Sequence, residues 1–287
     1  MAQKQLMLPG ETVKKSNALA RAGWPVQSVL EPRLIALVAS RVKEDDKDFF
    51  LYEIPTTELL GPQGNKDEYK QLREACTRLV GTVIDLPTED GGWTVVSIFS
   101  SCRHDPRRKK IIARFDPALK PHYLNLGKKF YTKYNLLEFL QLPTTYSQRL
   151  FEVLKSWDDQ VETTINLHDL FQQLGVPLGL QRYQDFRRKV LVPAHAYITE
   201  RTSLTYQWQP IKHGRAYVAI KFVFSAGRQA AVVKQAKAKD TQDVSTMRNK
   251  ALISATKCYA ECKGRCQPAD RLQCQLCAQL VQIGKRA

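Results

Sequence analysis

Residues 181–201, QRYQDFRRKVLVPAHAYITER, decide how the chain is read. Tyr183, Phe186, Val190, Ala194, Tyr197 and Ile198 recur at steps of three and four, the spacing that lines apolar side chains along one face of an α-helix. At about 100° per residue the opposite face collects Gln181, Gln184, Asp185 and Arg188, flanked by Arg182, Arg187 and Lys189. Arginine can contact guanine in bidentate fashion, glutamine can do the same with adenine, and flanking cations can hold phosphates. The segment is therefore expected to be a recognition helix laid against DNA. A solvated surface helix is the competing reading, because runs of charge usually mean no more than that. The rest of the chain has to decide between them.

Composition favours a polyanionic partner. The 287 residues carry 44 Lys plus Arg against 28 Asp plus Glu, a formal charge of +16. The excess is spread, at about +5 over residues 1–143, +3 over 144–225 and +8 over 226–287. Such a balance suits nucleic acid. A hydrophobic content of 43% excludes a wholly disordered chain, and the length allows two domains with cores of their own. No apolar run approaches the roughly 18 residues that would span a bilayer, and the N-terminus lacks the apolar core of a secretory signal. A cytoplasmic protein with no membrane contact is expected. Its seven cysteines, five of them between Cys258 and Cys277, then read as thiols or metal ligands rather than a disulfide framework.

Going outward from residues 181–201, the pattern occurs twice. Residues 1–15 are polar, basic and broken by Pro9 and Gly10, and are expected to be a flexible leader. SVLEPRLIALVASRV, from Ser28, predicts a first helix with Pro32 in its early turns. A strand FFLYEI, a short helix ending at Gly61, and a second helix KDEYKQLREACTRLVG follow. TVIDLP, GGWTVVSIFSSC and KKIIARF then predict a β-wing with Arg107, Arg108, Lys109 and Lys110 at its tip. After a break at Pro143 and Thr144 the same order returns. The helix TYSQRLFEVLKSWDD presents Leu150, Val153, Leu154 and Trp157 inward, and the strand ETTINL and the helix HDLFQQLG lead into the segment at 181–201. Paired strands SLTYQWQP and YVAIKFVFS then flank a tip of Lys212, His213 and Arg215. Leu60, Gly61, Tyr69, Leu72 and Arg73 lie 114 residues before Leu174, Gly175, Tyr183, Phe186 and Arg187. An internal duplication is the economical account. The fold expected is α+β: two tandem winged-helix domains, 16–143 and 144–225, joined by a short link at Leu142–Thr145, with a basic, helical, Cys-rich extension over 226–287.

With these residues in view, the chain resembles the iteron-binding plasmid replication initiators of the Rep_3 family over roughly residues 16–225. SNALARAGWPVQSVLEPRLIALVASRV at 16–42 is similar to the family's opening helix, and YQDFRRKVLVPAHAYITERT at 183–202 to its second recognition helix. The resemblance implies two winged-helix domains that bind directly repeated double-stranded iterons at a plasmid origin, promote its opening and recruit the host initiator and helicase. It also implies a monomer–dimer equilibrium, with dimers repressing the protein's own gene, and a bacterial cytoplasmic location. By the same resemblance Gln184, Arg187, Arg188 and Lys189 would contact DNA, with Lys70, Arg73 and Arg78 in matching places in the first domain. Pro193 matches a proline common in the family and is expected to kink the helix.

No His-x-His pair and no G-x-x-x-x-G-K-[ST] loop is present, so neither a nicking site nor a nucleotide motor is expected, and the chain reads as a non-enzyme that requires no cofactor. Tyr69, Tyr183 and His195 read as core residues. The tail cysteines run C-x3-C-x3-C-x7-C-x2-C, and Cys262, Cys266, Cys274 and Cys277 could close a structural zinc site, with Cys258 spare. One helical face of small apolar cysteines explains the first three equally well. The rival to an initiator is a winged-helix transcriptional repressor with a metal- or redox-sensing tail. The tandem duplication argues against it, since a simple repressor needs only one unit.

Overall fold

Residues 12–43, 46–61, 64–88, 90–124, 126 and 131–224 are described by the structure, a computed structural model. The first unit begins with β1 (Thr12–Ser16) and α1 (Asn17–Arg21), the latter capped by Ser16, whose Oγ accepts from the Leu19 amide. It continues through α2 (Leu30–Arg41), β2 (Tyr52–Pro55), α3 (Thr56–Leu60) and α4 (Lys66–Gly81). Next come β3 (Val83–Pro87), β4 (Trp93–Ser97), β5 (Phe99–Asp105), β6 (Lys110–Phe115), α5 (Lys120–Tyr123), β7 (Tyr131–Asn135) and α6 (Leu136–Leu140). The second unit has α7 (Thr145–Lys155), β8 (Glu162–Asn166), α8 (Leu167–Leu174), α9 (Tyr183–Phe186), α10 (Val192–Arg201), β9 (Tyr206–His213) and β10 (Ala216–Phe224).

The duplication is visible in topology. Each unit runs helix, strand, helix, helix, hairpin, α2-β2-α3-α4-β5-β6 in the first and α7-β8-α8-α9/α10-β9-β10 in the second, with the β3–β4 hairpin inserted after α4 in the first alone. Each makes an antiparallel three-stranded sheet with the last strand in the middle, β2-β6-β5 and β8-β10-β9. Gly61 and Gly175 end α3 and α8 with positive φ, 78° and 63°, which a side chain would disfavour. Tyr69 and Tyr183 face the wings, against His104 at a ring separation of 5.4 Å and Tyr217 at 3.8 Å.

Four expectations need correcting. The leader does not extend to residue 15, because β1 pairs along its length with β7 and Lys15 is 3% exposed. The run FFLYEI is not all strand: Phe50 and Leu51 are exposed and pairing with β6 starts at Tyr52. The first wing is β5–β6 alone, since a break at Ile98 splits GGWTVVSIFSSC and leaves β3–β4 as a separate two-stranded hairpin. The short link at 142–145 does not separate two independent cores: Leu142 is fully buried and its carbonyl accepts from Gln148 and Arg33.

That last point follows from how the two units meet. The described residues form one compact unit with one continuous apolar core. Helix α7 lies at its centre and is buried on its polar side as well as its apolar one, with Ser147, Gln148, Arg149 and Glu152 all inaccessible. Glu152 is ion-paired to Lys15 of β1 and to Arg149, and accepts from the Tyr134 hydroxyl at 2.6 Å. Arg149 donates to the carbonyls of Ala22 at 2.7 Å and Gln173 at 3.1 Å, tying the opening segment of the first unit to α8 of the second. Gly23 and Gly175 let these backbones touch: a Cβ on Gly23 would sit 2.5 Å from the Gln172 carbonyl oxygen, and one on Gly175 2.6 Å from that of Trp24. The extension 226–287, including Cys258, Cys262, Cys266, Cys274 and Cys277, lies outside the described residues.

Candidate nucleic-acid interface

The second recognition helix is continuous from Tyr183 to Arg201, but not uniformly α. Residues Arg187–Leu191 form a π turn, in which the Val192 amide donates to the Arg187 carbonyl five residues back. Pro193 has no amide hydrogen and its ring would crowd the carbonyl four residues earlier, that of Lys189. A local extra residue per turn absorbs both problems, so the helix passes through the proline with a change of register instead of a stop. The inward face is Phe186, Val190, Leu191, Ala194 and Ile198. His195 packs edge-on to Tyr206 and bonds its carbonyl at 2.9 Å, which accounts for it structurally.

Outward, Arg182, Gln184, Arg187, Arg188 and Lys189 are all exposed. Arg188 reaches back to Asp185 at 3.1 Å, an exposed pair of little energetic weight that holds the guanidinium along the helix. Gln181 does not belong with them. It precedes the helix, and its Nε2 donates to the Val176 carbonyl at 2.9 Å, closing the loop after α8. Lys212, His213 and Arg215 are exposed at the tip of the β9–β10 hairpin, where Gly214 adopts φ 60°. Lys212 sits 4.7 Å over the Tyr217 ring, which in turn stacks on Tyr183, so wing and recognition helix are joined by aromatic packing. These cations form one surface suited to a groove and its flanking phosphates.

The first unit repeats the arrangement with less charge. Lys70 and Arg73 are exposed on α4, and Arg107 and Lys109 at the β5–β6 tip. Arg78 is turned away: its Nε donates at 2.6 Å to Glu31 of α2, a carboxylate with no exposed surface. Neutralising a buried charge is a fold role, and it removes Arg78 from the reading surface. Arg108 and Lys110 are both drawn onto Glu53, at 2.7 and 2.6 Å, which cancels part of the charge expected of this wing. The tip is shaped by Asp105, which accepts from the Arg107 and Arg108 amides, and Lys109 takes a left-handed φ of 49° with its carbonyl bonded to Thr56. Arg103, exposed on β5 beside α4, escaped the sequence reading although the alternation of SCRHD could have placed it outward.

Among the described residues no group of three or more His, Cys, Asp or Glu could hold a metal, and no helix is long and apolar enough to cross a membrane. A solved structure titled "Crystal structure of SeMet derivatives of domain2 and domain 3 of RctB" is similar at 12% identity and a TM-score of 0.42, covering 78% of this chain and 94% of that one. The family description "Initiator Replication protein, WH1" matches residues 12–155, and "Initiator Rep protein, WH2" matches 166–224. Two winged-helix units with cationic recognition helices, matched by both halves of one family over most of the sequence, place this chain in the initiator Rep proteins, DNA-binding initiators of replication.

Proposed function

We propose that the protein starts plasmid replication by binding directly repeated iterons with both winged units at once, acting through binding energy with no catalytic step. The observation that carries this reading is the buried joint at α7, which packs two units of the same topology into one compact body. Such a body suits two neighbouring stretches of major groove about one helical turn apart. Arg187, Arg188 and Gln184 read bases, while Lys189, Lys212 and Arg215 hold phosphates. Lys70, Arg73 and Arg107 serve the second groove. Origin strain then exposes single strands to the host initiator and helicase, and a dimeric form represses the protein's own gene. The Cys-rich extension is proposed to carry one structural zinc.

Footprinting on the DNA flanking the gene tests this. Protection of several direct repeats of about two helical turns each is the expected result. Protection confined to a single palindrome would support the repressor instead.

A further inference from the structure

A groove of about 730 Å3 opens between α4 and β5, and both cysteines of the described residues line it. Cys76 projects from α4, one turn after Arg73, and Cys102 from β5, next to Arg103. Neither is in a disulfide, and both face the same groove, one from each of the two elements that wall it. A single buried cysteine is usually inert filler. Here two line one open groove, from the helix and the strand that wall it.

We propose that Cys76 and Cys102 are a two-thiol oxidation site that takes an oxidant of the hydroperoxide class and closes to a disulfide joining recognition helix to wing strand. In the first step the Cys76 sulfur attacks the outer peroxide oxygen, the O–O bond breaks, and an alcohol, or water from hydrogen peroxide, leaves with the proton. Cys76 is then a sulfenic acid. In the second step the Cys102 sulfur attacks the Cys76 sulfur, the S–O bond breaks and water leaves. Two thiols lose two electrons in all, and the peroxide gains them. Cys76 is the attacking group, because its neighbour Cys102 holds it below the usual thiol range against the opposing push of burial. Donation to Cys76, together with burial, pushes Cys102 well up, so it stays protonated until oxidation of Cys76 removes that thiolate.

Closure has a mechanical consequence, which rests on α4 being a DNA-reading helix. A disulfide requires sulfurs about 2.05 Å apart, much closer than two free thiols can rest. Bond formation therefore draws α4 onto β5 by on the order of 1 Å and moves Arg73 with it. Hydrogen bonds to base edges tolerate only a few tenths of an ångström. Oxidation should weaken binding to the direct repeats at least fivefold.

The test uses the full chain, reduced, exposed to hydrogen peroxide, alkylated and peptide-mapped, with binding to direct-repeat DNA measured in parallel. Expected are a linked Cys76–Cys102 peptide pair, a fivefold or greater loss of affinity, and reversal of both by dithiothreitol. Cys102→Ser should abolish the cross-link and leave Cys76 trappable by a sulfenic-acid reagent. Free alkylation of Cys76 and Cys102 while tail cysteines oxidise, linkage of either to a tail cysteine, or a cross-link with unchanged affinity would each overturn the proposal. If the reduced protein ignores the direct repeats, the DNA reading fails, and the peptide map still decides the thiol chemistry.

Discussion

The two recognition helices occupy equivalent places in equivalent units, yet they are built differently. Helix α4 opens with a capping box between Asn65 and Glu68, and along its outer face Lys70, Gln71, Arg73 and Glu74 stand where the second unit has Gln184, Asp185, Arg187 and Arg188. The second helix has no side-chain cap at its start and spends its irregularity on a π turn beneath its basic residues. Position 74 is an acid where its counterpart, Arg188, is a base, so the outer face of the first helix carries less positive charge. One helix is thus the better capped and the other the more basic. What keeps them in step is α7, whose polar face both units bury.

The largest expected effect comes from breaking that joint. Glu152→Ala would leave Lys15 and Arg149 buried without their counter-charge, and is expected to cost about 3 to 5 kcal/mol of stability. Calorimetry on the wild type should show the two units melting in one transition; two separate transitions would refute a shared core. Burial alone would raise the Glu152 carboxyl, but Lys15, Arg149 and the bonds from Lys15 and Tyr134 hold it below its usual value. The stability it contributes is therefore present above the unfolded carboxylate value, roughly 4.3, and is lost as pH falls through the lower folded value.

Next in size, Arg78→Ala strands Glu31 and should lower stability by about 2 to 3 kcal/mol while base preference is retained. A loss of specific affinity at unchanged melting temperature would return Arg78 to the DNA surface. Arg188→Ala is expected to weaken specific binding by about 1 to 3 kcal/mol and relax preference at one or two base pairs. Arg73→Ala should cost less, and equal losses from the two helices would erase the difference drawn between them. Smallest is Lys212→Ala, which should act alike on specific and random DNA and reduce the slope of log affinity against log salt by about 0.9. An unchanged slope would show that Lys212 touches no phosphate.

Much of this was legible in the sequence because local physics wrote it there. Phe186, Val190, Ala194 and Ile198 show the helical period, Gly61 and Gly175 mark helix ends, and the spacing of 114 residues carries the duplication. The errors lie where a partner far along the chain decides. Arg78 and Arg188 look alike as basic residues on a helix, and only the buried Glu31, 47 positions away, separates them. Arg108 and Lys110 read as a cationic tip until Glu53 folds beside them. Gln181 looked like part of a helical face because periodicity does not say where the first turn begins, and that was set by the loop it closes.

By itself, then, the sequence determined the two units, their order, their apolar faces and the exposed side chains of the second reading helix, all of which follow from periodicities within one element. Tertiary structure alone decided that the units are one body, that β1 and its lysine belong to the fold, and that the polar face of α7 is interior. Arg149 and Glu152 in an amphipathic helix spell a solvent face by every local rule. They are buried because they pair with each other and find partners far along the chain, Glu152 in Lys15 and Arg149 in the carbonyls of Ala22 and Gln173, a complementarity that exists only once both units have come together.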